Sequence, residues 1–179
     1  MKWNVVVTVQ EHGFKQAREF LHEFGKINKT EYFNVLVMQV DDIDEFLEAV
    51  RTAISIHAKI LDVIARVMPV TDSFQFQTAE EFEAKAQQVV RSWQTMLAGK
   101  RFHVRMHRRG FKGRMSSQIE ERFLDGVIMK SLVQNSESPA IIDFEDPDYI
   151  IAVETVGQTA GLALWSREQL QRYPFLKVD

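Results

Sequence analysis

"RFHVRMHRRGFKGR", residues 101–114, is the stretch whose periodicity decides the fold of the second half of the chain. Phe102, Val104 and Met106 alternate with Arg101, His103, Arg105 and His107. A strand turns successive side chains to opposite faces, so the pattern predicts a strand with one apolar face and one row of cationic and imidazole groups. The same reading sets aside a metal site. His103 and His107 have the H-x-x-x-H spacing of a helical metal pair, but on a strand they stand four rises, roughly 13 Å, apart, too far for one ion. Beyond the strand, "RRGFKGR" places Gly110 and Gly113 in a basic loop. Glycine lets backbone come close to a ligand and frees its N–H groups for phosphate oxygens. Ser116 and Ser117 then open the next helix, where unpaired N–H groups and the positive dipole end also favour an anion.

Upstream of this stretch, "NVVVTV" (4–9) reads as a strand. Phe14, Ala17, Phe20, Leu21 and Phe24 recur at helical spacing up to Gly25. "KINKTEYFNVLVMQV" contains a bend followed by a strand over 34–40. Asp42 and Glu45 form a capping box that opens a helix through Phe46, Leu47, Val50 and Ile54. "ILDVIARVMPV" (60–70) alternates as a strand. Strand, helix, two strands, helix, strand is the ferredoxin-like order. "PVTDSFQFQ" (69–77) reads as an extended connector. Thr78 and Glu81 make a second capping box, and the following helix carries Phe82, Ala86, Val89, Val90, Trp93 and Leu97 up to Gly99. Ser117 and Glu120 make a third, before Ile119, Phe123, Leu124, Val127 and Ile128. "PAIIDF" (139–144) is a short strand, and residues 146–166 read as two strands around a Gly157 turn. "DFEDPD" (143–148) clusters four carboxylates without EF-hand spacing and reads as a turn. The tail "QRYPFLKVD" reads as a short ordered appendage. The expected fold class is α+β, with a ferredoxin-like βαββαβ domain over residues 1–72 and an α/β domain over 73–179.

Composition narrows the chemistry. The 179 residues contain no cysteine, which excludes disulfides, thiolate metal sites and cysteine nucleophiles and fits a reducing cytoplasm. No run of eighteen apolar residues exists, so no membrane partner is expected. The net charge of -3 hides an uneven spread: residues 100–130 carry nine Lys or Arg and three acids, a local excess of +6. Such a field recruits anionic polymers regardless of global charge. No phosphate-loop, dinucleotide-fold or nucleophile-elbow motif is present, so neither catalytic residues nor a cofactor are expected.

The second half resembles a THUMP domain, the RNA-binding module of tRNA-modifying proteins. The matching pieces stand in order: "FHVRMHRRG" (102–110), "SSQIEERFLDGVIM" (116–129), "IIDFEDPDYIIAVET" (141–155), "GLALW" (161–165) and "YPF" (173–175). The first half is similar to the ferredoxin-like domain that precedes THUMP in several of these proteins. The resemblance implies an RNA surface at Arg105, Arg108, Arg109 and Lys112. Charge and predicted face add Arg101, His107, Arg114 and Lys130, with Gly110 in the loop between them. Family members join THUMP to a catalytic domain, for which the chain up to Asp179 leaves no room. The resemblance therefore implies the stand-alone branch: no enzyme, but a tRNA-binding adaptor that presents tRNA to a separate modifying enzyme, a cytidine acetyltransferase. A protein–protein scaffold in an RNA-processing complex and an RNA-modifying enzyme of unrecognised type are the competing expectations.

Overall fold

The computed structural model describes residues 2–178, which form two compact units. One runs up to Thr71 and regains Leu170–Lys177; the other runs from Asp72 to Gln169 and includes Val178. Both combine helices with a sheet, so the chain is a mixed α+β protein with two sheets and six α-helices among the described residues.

The first unit follows the order β1 (Val5–Val9), α1 (Phe14–Leu21), β2 (Lys26–Lys29), β3 (Val35–Gln39), α2 (Ile43–Ile56) and β4 (Ile64–Pro69). Its antiparallel sheet has the order β2-β3-β1-β4. Asp42 caps α2 as its sequence pattern predicts, accepting from the Glu45 N–H at 2.9 Å. The segment read as a strand from residue 60 differs at its start. Ala58–Asp62 forms a 3-10 turn, and the strand begins at Ile64, which is buried. The C-terminal segment, expected in the second domain, belongs to this unit, with Tyr173, Phe175 and Leu176 buried and Glu48 of α2 bonded to its start. Arg172 Nε and Nη2 donate to the two Glu48 oxygens at 2.8 and 2.7 Å, and the Tyr173 hydroxyl donates to the same carboxylate. These hydrogen bonds, Arg172 first, bring the Glu48 carboxyl down to about 2.

The second unit holds β5 (Asp72–Gln75), α3 (Ala79–Arg91), α4 (Gln94–Leu97), β6 (Arg101–His107), α5 (Ser117–Gln134), β7 (Ile141–Ile142), β8 (Tyr149–Val156) and β9 (Thr159–Ser166). α6 (Arg167–Arg172) follows β9. The sheet order is β5-β9-β8-β6-β7. The segment read as a connector is thus strand β5, paired antiparallel with β9 and anchored by the fully buried Phe76. β6 and β8 pair in parallel, with Phe102 opposite Tyr149 and His107 opposite Glu154. Phe102, Val104 and Met106 share a core with Ile151, Val153 and Leu162 of the sheet and with Phe82, Val90, Leu124 and Ile128 of α3 and α5. Burying each side chain of this size contributes roughly 1.5–3 kcal/mol. The single long helix read after Thr78 breaks at Ser92–Trp93 into α3 and α4.

The cap of α5 is displaced by one residue from its sequence reading. Ser116, not Ser117, accepts from the Ile119 N–H, at 3.4 Å. Glu120 does not reach back to the cap because it is buried against α3. Burial, then a hydrogen bond and repulsion from Glu83, then Glu80, push its carboxyl up to about 8 from an ordinary 4.5. A carboxyl protonated in the folded state and ionised in the unfolded one stabilises the fold at low pH, and that contribution is lost as pH rises through its folded value. Stability should therefore fall between pH about 4.5 and about 8. Glu120→Gln should flatten this decline and raise the melting temperature at pH about 8, as thermal unfolding across that range would record.

Candidate nucleic-acid interface

β6 delivers its apolar face to the core, but its other face is not the continuous cationic row expected from alternation. That face continues across β8 and β9 through Ile150, Ala152, Ala163 and Trp165, all buried. A charged group entering such a surface must be paired, because burial without a partner is costly. Glu154 has no exposed surface and takes His107 Nδ1 at 3.1 Å and Arg109 Nη1 at 3.5 Å. The Arg109 backbone N–H donates to Thr155 Oγ1 at 3.0 Å, and its carbonyl accepts from Gly157 N–H at 2.9 Å. His107 and Arg109 thus clamp the end of β6 onto β8.

Arg101 and His103 are also held internally. Arg101 faces Asp146 at 3.0 Å, Asp148 at 3.6 Å and Asp143 at 4.0 Å. Arg167 joins Asp146 and Asp148 at 2.9 and 3.4 Å, so two arginines offset part of the charge of the acidic 143–148 turn. Two backbone N–H groups, from Asp146 and Glu145, hold the Asp143 carboxyl below its ordinary range, with Arg101 and His103 adding to them. His103 is buried, hydrogen-bonds through Nδ1 to the Asp143 carbonyl at 3.0 Å and lies 5.2 Å from the Phe144 ring. Arg105 is exposed, but its groove of about 440 Å³ also contains Glu121 and Glu145.

The remaining cations gather at the C-terminal end of β6. Gly110, Phe111 and Gly113 take φ values of 95°, 58° and 78°. A left-handed phenylalanine is strained and persists only when its surroundings enforce it. Here its ring is buried against Phe76 at 4.8 Å, which pins the loop. Met115 is a second buried anchor, so Lys112, Gly113 and Arg114 are left exposed between the two. The Arg114 guanidinium stacks over Phe111 at 4.4 Å, and Arg108 folds back onto the Gly110 carbonyl. Arg108 and Arg114 line an open groove of about 560 Å³ with Gly113, Met115, Ser116, Ser117, Gln118 and Ile119. No carboxylate lines it. The first turn of the eighteen-residue α5 opens here, and its free N–H groups add to the positive field.

The sequence-predicted residues therefore separate into five places. Arg101 sits in the acidic turn, His107 and Arg109 on Glu154, and Arg105 in a groove of mixed charge. Arg108, Gly110, Lys112 and Arg114 share the loop before α5, and Arg108 and Arg114 line its groove. Lys130 stands apart, in a groove between α3 and α5 with Arg91 and Arg122. Sequence reasoning passed over those two arginines; the i, i+8 spacing of Arg122 and Lys130 on a helix was the available signal for one of them. Among the described residues, no group of three His, Cys, Asp or Glu side chains is placed to hold a metal ion. No helix among them is long and apolar enough to cross a membrane.

No protein-family model matches the chain, and no curated protein matches it in sequence. Solved structures do share its fold. PH1313 from Pyrococcus horikoshii Ot3 is 13% identical with a TM-score of 0.62, over 92% of this chain and 54% of that one. A possible methylase from Clostridium difficile 630 is 16% identical with a TM-score of 0.56, over 91% and 41%. A 4-thiouridine synthetase, solved with RNA and bound ATP, is 12% identical with a TM-score of 0.53, over 92% and 42%. The chain thus spans about half the length of the structures it resembles or less. These comparisons overturn the expectation of a non-catalytic adaptor that is no enzyme: the shared fold is carried by a 4-thiouridine synthetase and a possible methylase.

Removing the Glu154 carboxylate should test the clamp. Glu154→Ala leaves Arg109 and His107 without this partner and should cost about 3–5 kcal/mol in denaturant unfolding. Lys112→Ala, on the exposed loop, should stay within about 0.5 kcal/mol of the parent.

Proposed function

We propose that the chain is the RNA-recognition part of an RNA-modifying enzyme, built from a ferredoxin-like unit and a THUMP-type unit, and that tRNA is its substrate. The observation that carries this reading is the carboxylate-free groove at the start of α5. There two arginines, a glycine-bearing loop and a helix N-terminus converge. Phosphate oxygens are the ligands such a set of donors suits, since each part offers N–H groups or positive charge and no carboxylate lines the groove. Likeness of fold to a 4-thiouridine synthetase solved with RNA supports the polymer as RNA. The sheet order β2-β3-β1-β4 with its two helices supports the ferredoxin-like reading of the first unit.

In this reading Arg108, Lys112 and Arg114 contact phosphates, Arg105 is a separate cation in its own groove, and Arg101, His107 and Arg109 hold the fold. Recognition in this reading depends on backbone and shape. The reading requires no separate acetyltransferase.

A fluorescence titration with tRNA at two salt concentrations tests it. With about three phosphate contacts from the loop, the log–log salt slope from this site should be about -2 to -3. Charge reversal at Lys112 and Arg114 should remove most of the affinity while leaving the melting temperature unchanged. Affinity that survives both reversals, or that ignores salt, would refute the assignment.

A further inference from the structure

The groove between α3 and α5 is a second cationic surface, and the loop site does not include it. Arg91, Arg122 and Lys130 line it with Gln87 and Gln134, above a floor of Phe123 and Val127; its volume is about 380 Å³. All three cations are exposed, and no carboxylate lines the groove. Among the described residues none of the three forms an ion pair, in contrast to Arg101 in β6 and Arg109 just after it.

Gly126 lies in the middle of this groove and in the middle of α5. Glycine weakens a helix interior relative to alanine, so it needs a reason there. Packing within the chain supplies none: a Cβ at Gly126 would meet nothing within 4 Å. The missing side chain leaves a notch on the exposed stripe that runs through Ile119, Arg122, Gly126, Lys130 and Val133. Ile119 and Val133, at its two ends, are 59% and 74% exposed. One helix therefore carries the loop site at its start and the cationic notch along its side. Nine residues separate Ser117 from Gly126, roughly 14 Å at 1.5 Å per residue. That is about four nucleotides of a stacked strand at ~3.4 Å each.

We propose that the groove binds the phosphodiester backbone of the same RNA strand that enters at the loop. The strand runs along α5, with its backbone seated close against Gly126 and its phosphates between Arg91, Arg122 and Lys130. The proposal rests on the RNA-binding reading above. It adds a second contact region, a direction for the strand and a role for a glycine that the fold itself does not require.

Single-stranded RNAs of about two and about twelve nucleotides separate the two sites. The triple reversal Arg91→Glu, Arg122→Glu, Lys130→Glu should weaken the longer RNA tenfold or more and reduce its salt slope by about 2, while leaving the shorter RNA unaffected. Gly126→Leu fills the notch and should weaken the longer RNA severalfold with no fall in melting temperature. Gly126→Ala serves as the folding control and should melt at or above the parent temperature. Unchanged affinity and slope in the triple variant, alongside loss of binding on Lys112 and Arg114 reversal, would overturn this proposal and leave the loop reading standing. Loss of poly-glutamate binding with RNA binding intact would also overturn it, and would assign the groove to an acidic protein segment. If neither set of reversals alters RNA binding, both readings fall.

Discussion

A carboxylate with no exposed surface sits at the centre of the second unit's architecture. Glu154 stands directly opposite His107 in the parallel pairing of β6 with β8 and takes Arg109 as well. Buried charge is tolerated only when paired, so this contact fixes where β6 ends and how the chain leaves it. The loop that follows inherits that position. Phe111 then locks it by driving its ring against Phe76 at a backbone angle that phenylalanine seldom adopts. Lys112, Gly113 and Arg114 are exposed because the residues on either side of them are anchored.

This division of labour among basic residues explains why an acidic chain concentrates arginine here. Part of the charge is structural: Arg101 and Arg167 offset part of the charge of the 143–148 turn, and Arg109 pairs with Glu154. The remainder is available to solvent, on the loop and along α5. Guanidinium suits both tasks because it makes several directed hydrogen bonds and keeps its charge when partly buried. A count of positive residues cannot separate the two roles; the separation depends on which carboxylates the fold brings near.

The first unit uses the same device for a different end. Glu48 on α2 receives two hydrogen bonds from Arg172 and one from Tyr173, beside the burial of Phe175 and Leu176, in a segment that follows the second unit in sequence. The association spans more than a hundred residues of chain, and neither the helical pattern around Glu48 nor the composition of the tail announces it. Glu120 shows the opposite case: a carboxyl that local pattern assigned to a cap is drawn into the contact with α3 and kept protonated by burial beside Glu83.

Local pattern determined much of this protein. The alternation at 101–107, the caps at Asp42 and Thr78 and the turn at Gly157 each act within a few residues, and each produced the element it implied. The order of elements in the first unit was legible for the same reason. The face that β6 turns away from the core was not, since alternation reports which residues share a face but not whether water reaches it. That depended on Ile150, Ala152, Ala163 and Trp165, contributed by strands some fifty residues further along the chain. Pairing of charge is likewise a property of distance in space. The basic loop of Arg108, Lys112 and Arg114 before α5 was already legible in the sequence; tertiary structure alone decided that Arg101, His107 and Arg109 serve the fold and that Lys130 belongs with Arg91 across a helix pair.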